Sequence, residues 1–141
     1  MTNFIMNMEY VNYYLILKWL HLIGMSAWFG TALAVSIIWS RKDRLDLNIV
    51  LDLITIVEMP AAFFIPFTGV LMTIAQTYWL KIGWIQLKIV IGIVAVVFSH
   101  YSRAMLIHKD MKLAGNKQKF SFFRNICLLM LFIITLIVGY K

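Results

Sequence analysis

Charged residues are scarce in this chain of 141 residues. Asp, Glu, Lys and Arg make up 13% of it, while 62% is hydrophobic. A soluble domain carries about 25% charged residues, so a water-facing exterior cannot be assembled from this composition. The apolar residues fall in long blocks, and the solvent they imply is lipid. Cysteine is almost missing. Cys127 is the one thiol, which excludes an intrachain disulfide and any Cys-based metal motif. The first ten residues hold no Lys or Arg, and no small-residue cleavage pattern follows the first apolar run. The first helix is therefore expected to be retained rather than removed as a signal peptide. No Gly-rich phosphate loop, HExxH or paired-carboxylate motif occurs, which removes the common soluble-enzyme chemistries.

Basic residues are plentiful, with a formal net charge of +7. Their positions argue against nucleic acid as a partner. Arg41, Lys42 and Arg44 sit in one loop, and six further Lys and Arg fall between Arg103 and Arg124. Loops and helix ends are where a membrane protein carries such charge.

The apolar blocks run from about Val11 to Trp39, Leu47 to Thr77, Trp84 to Ile107 and Phe122 to Tyr140. Each can cover the roughly 20 residues that a helix needs to cross a bilayer. Strands are excluded, because an open sheet in lipid leaves backbone groups unpaired. The second block carries Asn48 and Asp52. Its part through Glu58 is expected to be a cytoplasmic extension, with Met59 to Thr77 in the membrane. Pro60 falls near that expected start, where its missing N–H costs little. Pro66 is internal and predicts a kink. The loops holding RKDR and HKDMKLAGNKQK are basic, hence cytoplasmic, and the aromatic TYWLKIGW loop belongs outside. The sequence thus predicts an all-α membrane protein. It is a single domain, 1–141, forming a four-transmembrane-helix bundle with both termini on the outer side.

Ionisable groups in a membrane interior are functional candidates by default. They are Lys18, His21, Glu58, Lys88, His100 and Arg103. At about 1.5 Å per residue, His21 lies roughly 27 Å from Trp39 and Lys88 roughly 28 Å from Ile107. These two share a level near the outer surface. His100 lies only about 10 Å from Ile107. Two polar layers follow. The outer one holds His21 and Lys88, with Lys18, Gln86 and Tyr140 nearby. The inner one holds Glu58, His100 and Arg103, with Glu58 and Arg103 expected to pair and Arg124 and Asn125 as possible neighbours. The vertical gap keeps His21 and His100 from sharing one iron.

Helical spacing adds direction. Lys18, His21, Met25 and Trp28 form one inward stripe, with Gly24 beside it allowing close approach. Lys88, Gly92, Ala95 and Ser99 form a small-residue stripe on the third helix, and Gln86 and His100 lie on another face. This inventory suits a haem-like or quinone-like redox ligand, or a proton or ion path.

The segment KWLHLIGMSAWFG, with Lys18, His21 and Trp28, resembles the opening of the HemJ-type protoporphyrinogen oxidases and the related CopD-like membrane proteins. EMPAAFFIPFTGVL is similar to the second-helix Asn-Pro segment of that family, with Met59 in place of Asn before Pro60. GWIQLKIVIGIVAVVFSHYSR is similar to its third helix, through Trp84, Lys88 and His100. His100 stands about one residue from the family position, and the Asn-Glu-x-Pro before the last helix is absent. The resemblance implies haem b, with His21 as the metal ligand and His21 and Lys88 as the catalytic pair. Trp28, His100 and Arg103 join them around the cofactor. It also implies a porphyrin-type ligand, porphyrin biosynthesis as the context, six-electron oxidation of protoporphyrinogen IX, and the bacterial inner membrane as the location. The alternatives are a CopD-like copper or small-ion transport component, with scattered methionines as soft ligands, and a non-catalytic membrane subunit. A homo-oligomer is compatible with each, because four helices enclose little interior.

Overall fold

The computed structural model describes residues 2–41 and 46–140, with side chains from residue 12 onward. Lys42 and Arg44 of the expected basic loop lie outside the described residues. The chain folds into α1 (Thr2–Ser40), α2 (Leu47–Ala75), α3 (Gly83–His108) and α4 (Ala114–Tyr140). A short 3-10 turn, Thr77–Lys81, joins α2 to α3. Among the described residues there is no strand. Four segments, Asn12–Ser40, Leu47–Ala75, Gly83–His108 and Ala114–Tyr140, are long and apolar enough to cross a membrane. The protein is an all-α, multi-pass membrane bundle.

Consecutive helices pack on one another, and α1 also closes against α4. The helices therefore form a square, with α1 diagonal to α3 and α2 diagonal to α4. Large apolar side chains such as Trp19, Ile23, Ile56, Phe63, Ile93 and Val97 point outward. In lipid this is the stable arrangement, since the bilayer is as apolar as the core. The interior combines alanines with a few large side chains. Trp28, Ala32, Ala61, Ala62, Ala95, Cys127 and Leu131 make one buried cluster across the bundle. A second cluster, with Val35, Val50, Ile54, Met105 and Phe120, fills the inner end. Gly24 brings α1 against α2, for a β-carbon there would lie 3.2 Å from Ile65 Cγ1.

Helix α2 corrects one expectation. It is continuous from Leu47, where Asp46 caps it by accepting the Asn48 N–H at 2.9 Å. Residues Leu53–Glu58 form a π-helical segment, in which the Met59 N–H reaches back to the Ile54 carbonyl. Pro60 thus follows a widened turn rather than a free helix start. The physical reason is local: a proline ring crowds the carbonyl four residues earlier and supplies no N–H, and the wider turn lies over those residues. The segment through Glu58 is part of the packed bundle, not an extension beyond it. Glu58 is fully buried. The fourth helix also begins earlier than the apolar pattern suggests, at Ala114, because its first turns are amphipathic rather than apolar.

Candidate functional site: two buried polar layers

The outer layer spans the α1–α3 diagonal. His21 Nδ1 lies 2.9 Å from Thr68 Oγ1 on α2. The Thr68 hydroxyl donates to the Phe64 carbonyl at 2.7 Å and also approaches the Ile65 carbonyl at 3.1 Å. A hydroxyl has one proton, and it is committed to the α2 backbone. Thr68 must then accept from His21, so the neutral ring carries its proton on Nδ1. The lone pair of Nε2 points into the bundle, toward Lys88 Nζ at 3.5 Å. That separation is at the edge of hydrogen-bond range, so the contact is weak. Gly69 completes the seat: a β-carbon there would stand 3.6 Å from His21 Cε1, so the ring lies close to the α2 backbone.

The inner layer spans the other diagonal. Arg124 Nη1 on α4 donates to Glu58 Oε1 on α2 at 2.5 Å. Ser99 Oγ on α3 donates to the same oxygen. All three side chains are buried. Among the described residues, Glu58 Oε2 and Arg124 Nε and Nη2 have no partner, and neither has Trp28 Nε1. Buried polar groups of this kind are commonly satisfied by internal water. Thr68 and Glu58 are separated by ten residues of one helix, which puts the layers about 15 Å apart. The alanine-rich cluster with Trp28 lies between them, so the layers are separate chemical environments.

The expected site residues divide accordingly. His21 and Lys88 come together as the sequence suggested. Trp28 is buried, in the apolar cluster below them. His100 corrects the expectation: its ring is exposed on the outside of α3, and Nδ1 donates to the Val96 carbonyl at 3.0 Å. It belongs to the outward face, 14 positions from Gln86, rather than to the inner layer. Arg103 is also corrected. It does not pair with Glu58. Its Nε donates to Thr55 Oγ1 at 3.0 Å, and Arg124 takes the carboxylate. The reason is rotation: Arg124 lies on the buried stripe Phe120, Arg124, Cys127, Leu131 of α4, whereas Arg103 is only partly covered. Lys18 and Tyr140 are exposed, and Gln86 donates to the Leu80 carbonyl; none joins the outer layer.

The chain matches no family model, no curated protein and no solved structure. The arrangement itself must carry the chemistry. Among the described residues, no three His, Cys, Asp or Glu side chains gather around one point. A bare metal ion needs about four such donors. A macrocycle that brings its own equatorial nitrogens needs one or two from the protein. The His21–Lys88 layer offers that number. Thr68 is not ionisable and so stands outside the set of charged candidates. Its signal was its place beside Gly69, after Pro66, in an apolar helix.

Proposed function

We propose that this protein is a haem-binding membrane oxidoreductase of the kind its His21 and Lys88 segments resemble, acting on a porphyrinogen. The carrying observation is the fixed imidazole: Thr68 holds Nδ1, and Nε2 is turned toward an amine across the bundle diagonal. Metal-bound histidines are oriented by such a hydrogen bond on their other nitrogen, which sets tautomer and ring plane. His21 Nε2 and Lys88 Nζ stand 3.5 Å apart. If a haem were bound, His21 would be the residue to hold its iron, and Lys88 would supply an amine beside it for a propionate or for proton transfer.

Haem supplies one-electron transfer between a substrate and an acceptor. The chain does the rest. Thr68 and Gly69 seat the imidazole. Lys88 presents an amine able to hold a proton opposite the ring. The apolar cluster below keeps water from the layer. With protoporphyrinogen IX as substrate, six electrons and six protons leave the macrocycle, and an acceptor of the quinone class, which shares the bilayer, takes them up. The basic loop beyond α3 belongs on the cytoplasmic side, both termini outside, and the bilayer is a bacterial inner membrane.

The test is an anaerobic assay of protoporphyrinogen oxidation in membranes supplied with a quinone, read as protoporphyrin fluorescence. Wild-type membranes should oxidise the substrate, and His21→Ala and Lys88→Met membranes should fall to background. Equal rates in all three, with equal protein levels, would remove the reading.

A further inference from the structure

Helices α1 and α4 leave an open lateral groove in two parts, of about 660 Å³ and 480 Å³. The inner part is lined by Lys117, Gln118, Ser121 and Asn125 of α4, with Trp39 and Ser40 of α1. The outer part is lined by Phe29, Leu33, Leu128 and Phe132. Asn125 is the one residue common to both. The Trp39 ring packs on Phe120 at 4.2 Å and braces the α1–α4 contact there.

The side chains of Lys117, Gln118, Ser121 and Asn125 have no hydrogen-bond or ion-pair partner among the described residues. An unpaired amide inside a span, facing lipid, is unfavourable unless something polar meets it. Asn125 stands about 12 Å along the helix from Lys117, and Phe132 about 10 Å further. The groove is therefore graded: a cation at its inner mouth, hydroxyl and amides next, then apolar wall over much of one leaflet, which is about 15 Å deep.

We propose that this groove is a binding site for one anionic glycerophospholipid of the leaflet on the basic-loop side. The phosphate meets Lys117, with Gln118 and Ser121 donating. Asn125 donates to an ester carbonyl. One acyl chain lies along Phe29, Leu33, Leu128 and Phe132. Charge selects the headgroup. Lys117 lines the groove, Lys109, Lys112 and Lys119 lie close to it in sequence, in the loop and first turns of α4, and basic pockets between membrane helices on the cytoplasmic side favour anionic lipid. The apolar wall takes the first part of one acyl chain, and the rest of the chain lies in the bilayer. The assignment is independent of the His21–Lys88 layer.

Native mass spectrometry of the full chain, released from micelles holding equal phosphatidylglycerol and phosphatidylcholine, tests it. The expected result is one phosphatidylglycerol retained per protomer, in clear preference to phosphatidylcholine. Lys117→Gln should weaken that retention about five-fold, the contribution of one membrane-surface lysine, and Asn125→Leu should weaken both lipids. Lys81→Gln, an equal charge change at the opposite end, should leave retention unchanged. Equal retention of the two lipids, or equal losses in the Lys117 and Lys81 variants, would overturn the site. So would a dimer mass without lipid, which would give the groove to a second copy. Displacement of the lipid by protoporphyrin would give it to a tetrapyrrole and overturn it as well.

Discussion

Removing Arg124 should harm this protein far more than removing Arg103, although both are arginines at a similar depth. Arg124 is paired with a fully buried carboxylate, and Ser99 is the other group on that carboxylate among the described residues. Arg124→Met leaves Glu58 as a buried, uncompensated charge, a change that costs about 3–5 kcal/mol. Glu58→Gln leaves the guanidinium in the same position, at a comparable cost. At a few degrees per kcal/mol for a chain near this size, each single variant should lose roughly 10 °C in apparent Tm. The double variant, Glu58→Gln with Arg124→Met, removes both charges, and the amide introduced on α2 keeps the Ser99 contact. It should be more stable than either single variant. Arg103→Met gives up one hydrogen bond to Thr55 at a partly exposed position, worth about 1 kcal/mol. The assay is thermal unfolding of purified protein in one detergent, followed by intrinsic fluorescence. A double variant that loses the sum of the two single losses would refute the pairing. So would an Arg124→Met protein as stable as Arg103→Met.

Three further predictions concern other parts of the bundle. Thr68→Val should lower haem affinity about 10- to 100-fold, the usual effect of losing the group that orients a ligating histidine; haem titration should show Thr68→Ser sparing it and His100→Ala leaving it unchanged. Gly24→Ala should lower the Tm, by an amount equivalent to about 1 kcal/mol, because its new methyl meets Ile65. Gly30→Ala, with open space around it, should not. Single cysteines at Lys112 and Lys81 should react with membrane-impermeant maleimide from opposite sides in intact cells and inverted vesicles, the Lys112 position from the cytoplasm; the buried Cys127 should stay unlabelled in both.

The sequence carried the helices and the outer layer well, for particular reasons. The spans are long apolar runs with charges confined to their ends, so lipid fixes their type and number. The stripe Lys88, Gly92, Ala95, Ser99 was legible because small residues mark helix contacts in a membrane, and Ala95 and Ser99 are fully buried. Level and facing together brought His21 to Lys88. The inner layer was only half legible. Depth grouped Glu58, His100 and Arg103, but depth says nothing about rotation. The helical wheel already placed His100 on a face away from Lys88, and the structure follows the wheel. The choice between Arg103 and Arg124 for Glu58 depends on rotation, because Arg124 lies on the buried face of α4 while Arg103 is only partly covered, and depth alone does not separate them. Thr68 was hidden because a hydroxyl in an apolar helix ordinarily bonds its own backbone. Here it does that and also receives the histidine.

The proposed role of the imidazole of α1, fixed by α2 and facing the amine of α3, is to hold a haem. Its most direct test is the absorption spectrum of protein purified from haem-supplied cells. Wild type should show a Soret band at about one haem per protomer, and His21→Ala should lack it while remaining helical. A colourless wild type, or an undiminished band in His21→Ala, would contradict the account.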